Sequence, residues 1–331
     1  TNWDWDFTSD GTIDNNSPNP MYGYLNPGTF NASLIAYTSF GCSDTIEHSV
    51  TVNPLPIPNF TADTVCYGEP TNTANLSNIA SGSITTYNWN FNDGGATSNN
   101  TNASHIFSNP GTYSISLQVE SDSGCTASDS ANIYVSDFPT ANFLANNVCD
   151  GDTVFFQDKS SANNGSIENW SWDFESNGTE NSDISNPNNI FSVPGSYNVT
   201  LSIENNYGCI DTITQGIEVY DLPHAQFTSH NACEDSSVHF TNLSTVDNGS
   251  ISQNDWNLGN GHNSNQLDPA EVYANEGIYP IELITTTDNG CTDTATGMVE
   301  IYPTPTALFT NNNNCFGAVT IFQDLSSVSN Q

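Results

Sequence analysis

The sequence predicts an all-β protein built as tandem immunoglobulin-like β-sandwiches in an extended array. Three observations carry this. Segments such as Tyr113, Ile115, Leu117, Val119 and Tyr197, Val199, Leu201, Ile203 alternate apolar and polar positions with period 2, the mark of a half-buried strand. Asn, Asp, Gly and Ser interrupt the chain every eight to twelve residues or so, as they do in sandwiches. Finally, the chain repeats itself: Gly41-Cys42, Gly124-Cys125, Gly208-Cys209 and Gly290-Cys291 recur at intervals of 83, 84 and 82 residues. Cys66, Cys149, Cys233 and Cys315 follow with the same three spacings. No amphipathic helical stretch interrupts the pattern.

Each repeat carries its landmarks in the same order. Trp5-Asp6-Phe7, Trp89-Asn90-Phe91, Trp172-Asp173-Phe174 and Trp256-Asn257-Leu258 open a strand that alternation places in the core. Then come Pro27-Gly28-Thr29-Phe30, Pro110-Gly111-Thr112-Tyr113, Pro194-Gly195-Ser196-Tyr197 and Glu276-Gly277-Ile278-Tyr279, each leading into a long alternating strand. Pro54, Pro56 and Pro58, then Pro139, Pro223, and Pro303 with Pro305, separate the repeats as stiff joints. The expected domains are 55–136, 137–220 and 221–302. Residues 1–53 correspond to a domain lacking its first two strands, and 303–331 to those two strands alone. Either the sequence is a window on a longer array, or terminal strands complete a neighbouring subunit.

One basic side chain, Lys159, faces 37 acidic ones, a formal net charge of −36. Nucleic acid and anionic membrane surfaces both require clustered Lys and Arg, so neither is an expected partner. A lone lysine also precludes Lys–Asn isopeptide staples in most repeats. An apolar fraction of 35%, spread over domains of about 83 residues, leaves small cores that gain from covalent reinforcement.

All eight cysteines obey the period, which reads as a disulfide framework in an oxidising, extracellular setting. Metal binding is the weaker alternative, since no Cys-x-x-Cys pair occurs. Two connectivities remain open. Within-repeat bonds (Cys66–Cys125, Cys149–Cys209, Cys233–Cys291) are the default. In an immunoglobulin-like sandwich, however, the first turn and the last hairpin lie at opposite poles, beyond the Cα separation of about 4.4–6.8 Å that a disulfide tolerates. The preferred pairing therefore joins successive domains, as Cys66–Cys209 and Cys149–Cys291. Cys42, Cys125, Cys233 and Cys315 then find partners outside this stretch.

The run Trp172-Asp173-Phe174, Asn186-Pro187, Pro194-Gly195-Ser196-Tyr197-Asn198-Val199 resembles the polycystic kidney disease (PKD) domain, and does so once per period. Departures include Thr8-Ser9-Asp10-Gly11 after Phe7, Glu175-Ser176-Asn177-Gly178 after Phe174, and Thr71 and Thr73 where other repeats hold Val154/Phe156 and Val238/Phe240. Only His105 keeps the family's histidine. The two-cysteine variant is similar to repeats of secreted surface proteins of Bacteroidetes, which implies an adhesin or motility-associated filament. The same family also supplies spacers in secreted hydrolases.

No nucleophile–base–acid set recurs with the period, so an enzyme is not expected. Trp5, Trp89, Trp172 and Trp256 read as core rather than as sugar platforms; Trp3, Trp170 and Tyr87 face the other way and are candidates for domain or fibre contacts. Asp6, Asp10 and Asp14 form an oxygen-rich loop with Gly11, a candidate structural Ca2+ site that matches no EF-hand spacing; Asp173, Glu175, Glu180 and Asp183 form a looser one. Asp44-Thr45-Ile46, Asp129-Ser130-Ala131, Asp211-Thr212-Ile213 and Asp293-Thr294-Ala295 resemble a Bacteroidetes O-glycosylation signal, echoed at Asp63-Thr64-Val65 and Asp152-Thr153-Val154. The implied acceptors are Thr45, Ser130, Thr212, Thr294, Thr64 and Thr153. The expected function is a structural, extracellular repeat region forming the stalk or filament of a cell-surface protein. Its expected partners are neighbouring copies or adjoining repeats, with surface glycans or other cells as further candidates. The alternative is a non-catalytic spacer or carbohydrate-binding region of a large secreted hydrolase.

Overall fold

The computed structural model describes residues 1–328; the last three positions of the 303–331 segment lie outside the described residues. Every regular element among the described residues is a strand. The chain divides into two compact units, each treated separately below. One comprises Thr1–Ala141, Ser160–Asn169 and Ser202–Thr212; the other comprises Asn142–Lys159, Trp170–Leu201 and the chain from Ile213 on.

In the first unit, residues 55–136 form a complete sandwich. Its larger sheet runs Val65–Cys66, Thr126–Ser136, Gly111–Ser121, Ile84–Asn90, Thr97–Ser98, and its smaller one Phe60–Ala62, Thr71–Asn75, Ser104–His105. Neighbours are antiparallel except Val65–Cys66, which pairs parallel to the end of Thr126–Ser136. The central register sets Trp89 opposite Leu117. Period-2 alternation turns Ile115, Leu117 and Val119 inward, where they meet Trp89, Phe91, Phe107, Ile133 and Val135. Ahead of this sandwich, Asn2–Asp6, Gly28–Tyr37 and Ser43–Val52 make a three-stranded antiparallel sheet.

In the second unit, residues 221–302 repeat the plan. Ala232–Cys233, Thr292–Tyr302, Gly277–Thr287, Ile251–Asn257 and Asn263–Ser264 form the large sheet, again with Ala232–Cys233 parallel to its neighbour. Trp256 lies opposite Leu283, and the core gathers Val238, Phe240, Leu258, Tyr273, Ile281, Val299 and Ile301. Phe309–Asn311 and Phe322–Asp324 pair as a two-stranded antiparallel ladder. The third repeat is shared between the units. Its sheet runs Val148–Cys149, Ile210–Tyr220, Gly195–Asn205, Ile167–Asp173.

The recurring motifs have local causes. Trp89, Trp172 and Trp256 are at most 1% exposed. Each satisfies its buried indole N–H on a carbonyl of the next loop, that of Asn100, Ile184 or Gln266 at 2.9–3.0 Å. The residue after each tryptophan closes the following turn: Asn90 accepts from Asn92 N–H, Asp173 from Glu175 N–H, and Asn257 from Gly259 N–H. The aromatic after Pro-Gly docks on a loop aromatic, as in Phe107–Tyr113 and Phe191–Tyr197, both with centroids 4.1 Å apart. Its hydroxyl donates to a carbonyl four residues earlier. The glycine preceding it holds φ of +146° to +149° in residues 111, 195 and 277, where a Cβ would be strained.

Candidate functional site

The positions that the sequence isolates most sharply are the cysteines, and they meet where one repeat passes to the next. Each Gly-Cys lies in a tight hairpin turn. Gly124, Gly208 and Gly290 hold φ of +78° to +85°, and their N–H groups donate to Ser121, Asn205 and Thr287 carbonyls. The side chains of those same three residues, all buried, accept the N–H of Cys125, Cys209 and Cys291 at 3.0–3.1 Å. Thr38 serves Cys42 in the same way at 3.2 Å. This polar residue four positions ahead of every Gly-Cys cysteine was visible as a periodic signal, yet only its hydrogen bond reveals why it recurs. It closes the turn by accepting the cysteine's backbone N–H.

In the first unit Cys209 is bonded to Cys66, with Cα atoms 5.7 Å apart across 143 residues of sequence. In the second, Cys291 is bonded to Cys149, again at 5.7 Å, across 142 residues. Each bond thus links the first-turn cysteine of one repeat to the Gly-Cys of the following one, and seals the latter: Cys209 and Cys291 are 0% and 1% exposed. Cys42, Cys125, Cys233 and Cys315 are free thiols, of which Cys125 is half-buried and the rest exposed.

Around the Cys66–Cys209 joint, the Asn205 amide donates to Ser136 Oγ at 3.1 Å and to the Asp137 carbonyl at 3.3 Å. Tyr134 and Tyr207 face each other at 4.7 Å. The linker Pro139 is buried. Around the Cys149–Cys291 joint, Thr287 replaces Asn205 and offers no amide; instead Asn248 donates to the Asp221 carboxylate at 2.6 Å, and Pro223 is buried. Directly after each proline, the strand is tied to its own repeat: Ala141 N–H donates to Asp211 at 2.8 Å, and Ala225 N–H to Asp293 at 2.7 Å. Residues 55–136 drop both partners together. Pro58, with no N–H, stands where Ala141 and Ala225 do, and Ala127 where the aspartates do. Asp211 and Asp293 of the Asp-Thr pattern therefore have a structural task independent of any modification. Thr45, Ser130, Thr212, Thr294 and Thr64 are exposed, and Thr153 is half-buried.

The acidic loops behave as turns. Asp6 accepts N–H groups of Thr8 and Gly11, Asp14 accepts Phe7 N–H, and Asp10 accepts Thr12 N–H. Chiefly that Thr12 N–H holds Asp10 below the usual carboxylate range. Burial pushes Asp173 up, but N–H donors from Gly178, Asn177 and neighbours outweigh it and leave the group lowered. Among the described residues no group of three or more His, Cys, Asp or Glu is placed to hold a metal ion, so Asp6, Asp10 and Asp14 are not gathered into a calcium site. His105 stacks on Phe91 at 4.7 Å and sets Nε2 2.8 Å from Asp93, a structural contact. Of the outward aromatics, Trp170 is half-buried with its indole N–H on Asp158, and Tyr87 packs on the core.

Comparison with known proteins agrees with this geometry. Residues 53–136, 136–219 and 221–301 each match the PKD domain family. The chain belongs to that family. Over 154 residues it is 29% identical to the pre-pro-metalloprotease PrtV of Vibrio cholerae serotype O1, covering 46% of this chain and 16% of that protein's length. The crystal structure of the PKD1 domain from that protease is 31% identical, covers 24% of this chain and is itself 96% covered, with a TM-score of 0.23. The PKD1 domain of Vibrio anguillarum Epp is 27% identical over 25% of this chain and 96% of its own, with a TM-score of 0.24. The chain is thus a tandem PKD array, made of a structural domain type that is a non-catalytic repeat module.

Proposed function

We propose that these PKD repeats form a covalently clamped extracellular array, the stalk or filament of a bacterial cell-surface protein. The observation that carries the reading is the pair of disulfides, Cys66–Cys209 and Cys149–Cys291, each joining successive PKD repeats rather than closing one. A bond inside a repeat raises only that repeat's stability. A bond across a joint also removes freedom between repeats, which is what a load-bearing stalk requires and a loose tether does not. Disulfides of this kind persist outside the cytoplasm. Strong negative charge keeps such an array soluble and self-repelling. The exposed hydroxyls of Thr45, Ser130, Thr212 and Thr294 are proposed glycan acceptors; intact-mass measurement of native protein equal to the bare polypeptide would remove them.

A second reading is favoured by one observation, the match to a metalloprotease precursor. In it the array is a spacer within a large secreted hydrolase. Electron microscopy of native material separates the two. Continuous fibres or surface rods support the stalk; short rods attached to a globular catalytic body support the spacer.

A further inference from the structure

The two joints are held by different chemistry. At the Cys66–Cys209 joint, Tyr134 and Tyr207 pack together at 4.7 Å. At the Cys149–Cys291 joint the same positions of the period hold Glu218 and Asn289, and a cleft of about 330 Å³ opens there, lined also by Asp221, Asn248 and Gly249. The side-chain hydrogen bond of this joint runs from Asn248 Nδ2 to the Asp221 carboxylate at 2.6 Å. A neutral amide thus stands beside two carboxylates, and glycine follows it. Asn-Gly is the dipeptide most prone to lose its amide, because no Cβ on glycine hinders attack of the backbone nitrogen on the Asn side chain. Five occur in the chain. Ring closure needs a glycine N–H free to give up its proton and an amide free to turn. Gly178 N–H is bound to Asp173, and Gly290 N–H to the Thr287 carbonyl. The Asn260 amide is held at both ends, donating to Glu271 and accepting the His262 N–H. Among the described residues, Gly165 and Gly249 N–H make no hydrogen bond, and Asn164 and Asn248 are exposed. Of these two, Asn248 is the one whose amide closes a joint.

We propose that Asn248 is a self-modifying site: ring closure on Gly249 removes its amide, and the carboxylate left in its place, facing Asp221, loosens the Cys149–Cys291 joint. This goes beyond the array reading and rests on it only in taking that disulfide as a joint. The Gly249 nitrogen loses its proton and bonds the Asn248 Cγ, the Cγ–Nδ2 bond breaks, and the amide nitrogen leaves as ammonia with that proton. Water then opens the succinimide at either of its ring C–N bonds, giving aspartate or isoaspartate. The reaction quickens as pH rises, because the attacking nitrogen must be deprotonated. Either product lacks the N–H donor and adds a carboxylate to those of Glu218 and Asp221. Like charges at this range repel, and Lys159 is the chain's one basic side chain. The disulfide itself is untouched, so the array stays continuous while the joint opens.

The test incubates the full oxidised chain at mildly alkaline pH and follows aspartate and isoaspartate at each Asn-Gly by chymotryptic digestion and mass spectrometry. Expected is conversion of Asn248 and Asn164, with Asn289 at least about threefold slower, since its glycine must first give up a backbone hydrogen bond. Under a limiting dithiol reductant, Asn248→Asp should speed reduction of Cys149–Cys291 about three- to tenfold, the weight of one lost hydrogen bond, and leave Cys66–Cys209 at its wild-type rate. Asn164→Asp should change neither. Combining Asn248→Asp with Asp221→Asn exchanges donor and acceptor and should restore slow reduction. Asn289 reacting ahead of Asn248, Asn248 intact while Asn164 is converted, a wild-type reduction rate in Asn248→Asp, or no rescue by the exchange each overturns the inference. A chain in which Cys149–Cys291 never forms counts instead against the array reading itself.

Discussion

Residues 55–136 and 221–302 have one backbone plan and two different interiors. The first fills the inner face of its second strand with Thr71 and Thr73, the second with Val238 and Phe240. The first compensates from the opposite loop, where Phe91, His105 and Phe107 stack edge and face within 4.7–6.3 Å. The second places Leu258 and Tyr273 there, with the Tyr273 hydroxyl donating to the Leu258 carbonyl at 2.8 Å. What the repeats share are positions that set backbone geometry: the Trp with its loop carbonyl, the bend at Gly111 or Gly277 and the Gly-Cys turn. What they exchange is volume, which a core tolerates if the sum is kept.

The largest expected effect comes from removing the joint bonds. Cys149→Ser with Cys291→Ser should destabilise residues 221–302 by about 2–4 kcal/mol, the usual scale for a lost disulfide. At about 4–8 °C per kcal/mol for a domain this size, the Tm change is easily read by calorimetry. Cys66→Ser with Cys209→Ser should lower the first unit by less, because Asn205–Ser136 and Tyr134–Tyr207 still hold that joint. Equal losses at both joints would show that these contacts contribute nothing.

Next is Phe240→Thr, which gives residues 221–302 the strand of residues 55–136 without its compensating aromatics. Phe240 is 1% exposed against Trp256, so the truncation should cost about 3 kcal/mol or more. Thr71→Val reverses the comparison in the other repeat. Thr71 is 0% exposed and its Oγ1 has no hydrogen-bond partner, while Val154 and Val238 hold that position elsewhere. The substitution keeps the shape and removes an unsatisfied hydroxyl, so a gain of about 1 kcal/mol is expected by denaturant titration. Thr73→Val is the control and should destabilise, since Thr73 Oγ1 donates to the Ala103 carbonyl and accepts Ala103 N–H, both at 3.0 Å.

These contrasts show which parts of the fold are legible in sequence. Leu117, Leu201 and Leu283 announce themselves through strict alternation, and each Gly-Cys turn through its positive-φ glycine. Asn205 does not, because its amide reaches Ser136, 69 residues away, in the preceding repeat. Asp211 and Asp293 were visible as part of an Asp-Thr pattern that suggested modification. Their hydrogen bonds to Ala141 and Ala225 span 70 and 68 residues and have no local signature. The clue was the exception: residues 55–136 replace donor and acceptor together, as Pro58 and Ala127. Local geometry can be read from local sequence. Pairwise compensation across a sandwich can be read only where one repeat breaks it.

The smallest effect separates the two interiors by pH. In residues 55–136 the Ser108 hydroxyl, then His105, hold Asp93 below the usual carboxylate range. That contribution is present above the unfolded value of 3.8 and disappears as pH falls through the lower folded one. In residues 221–302 the sign and the window are opposite. Burial, with Glu271 and Tyr279 nearby, pushes Tyr273 from 10.0 up to about 12. The unfolded chain therefore releases this proton before the folded one does. The stabilising contribution is complete below pH 10 and is lost as pH rises through about 12. Phe107 and Phe191 fill the equivalent position in the other two complete repeats and carry no such proton. Melting across pH 9 to 12 should accordingly show residues 221–302 losing stability, and Tyr273→Phe should flatten that slope at the expense of about 1 kcal/mol for the lost Leu258 hydrogen bond. An unchanged slope in the variant would place the alkaline lability elsewhere in the repeat.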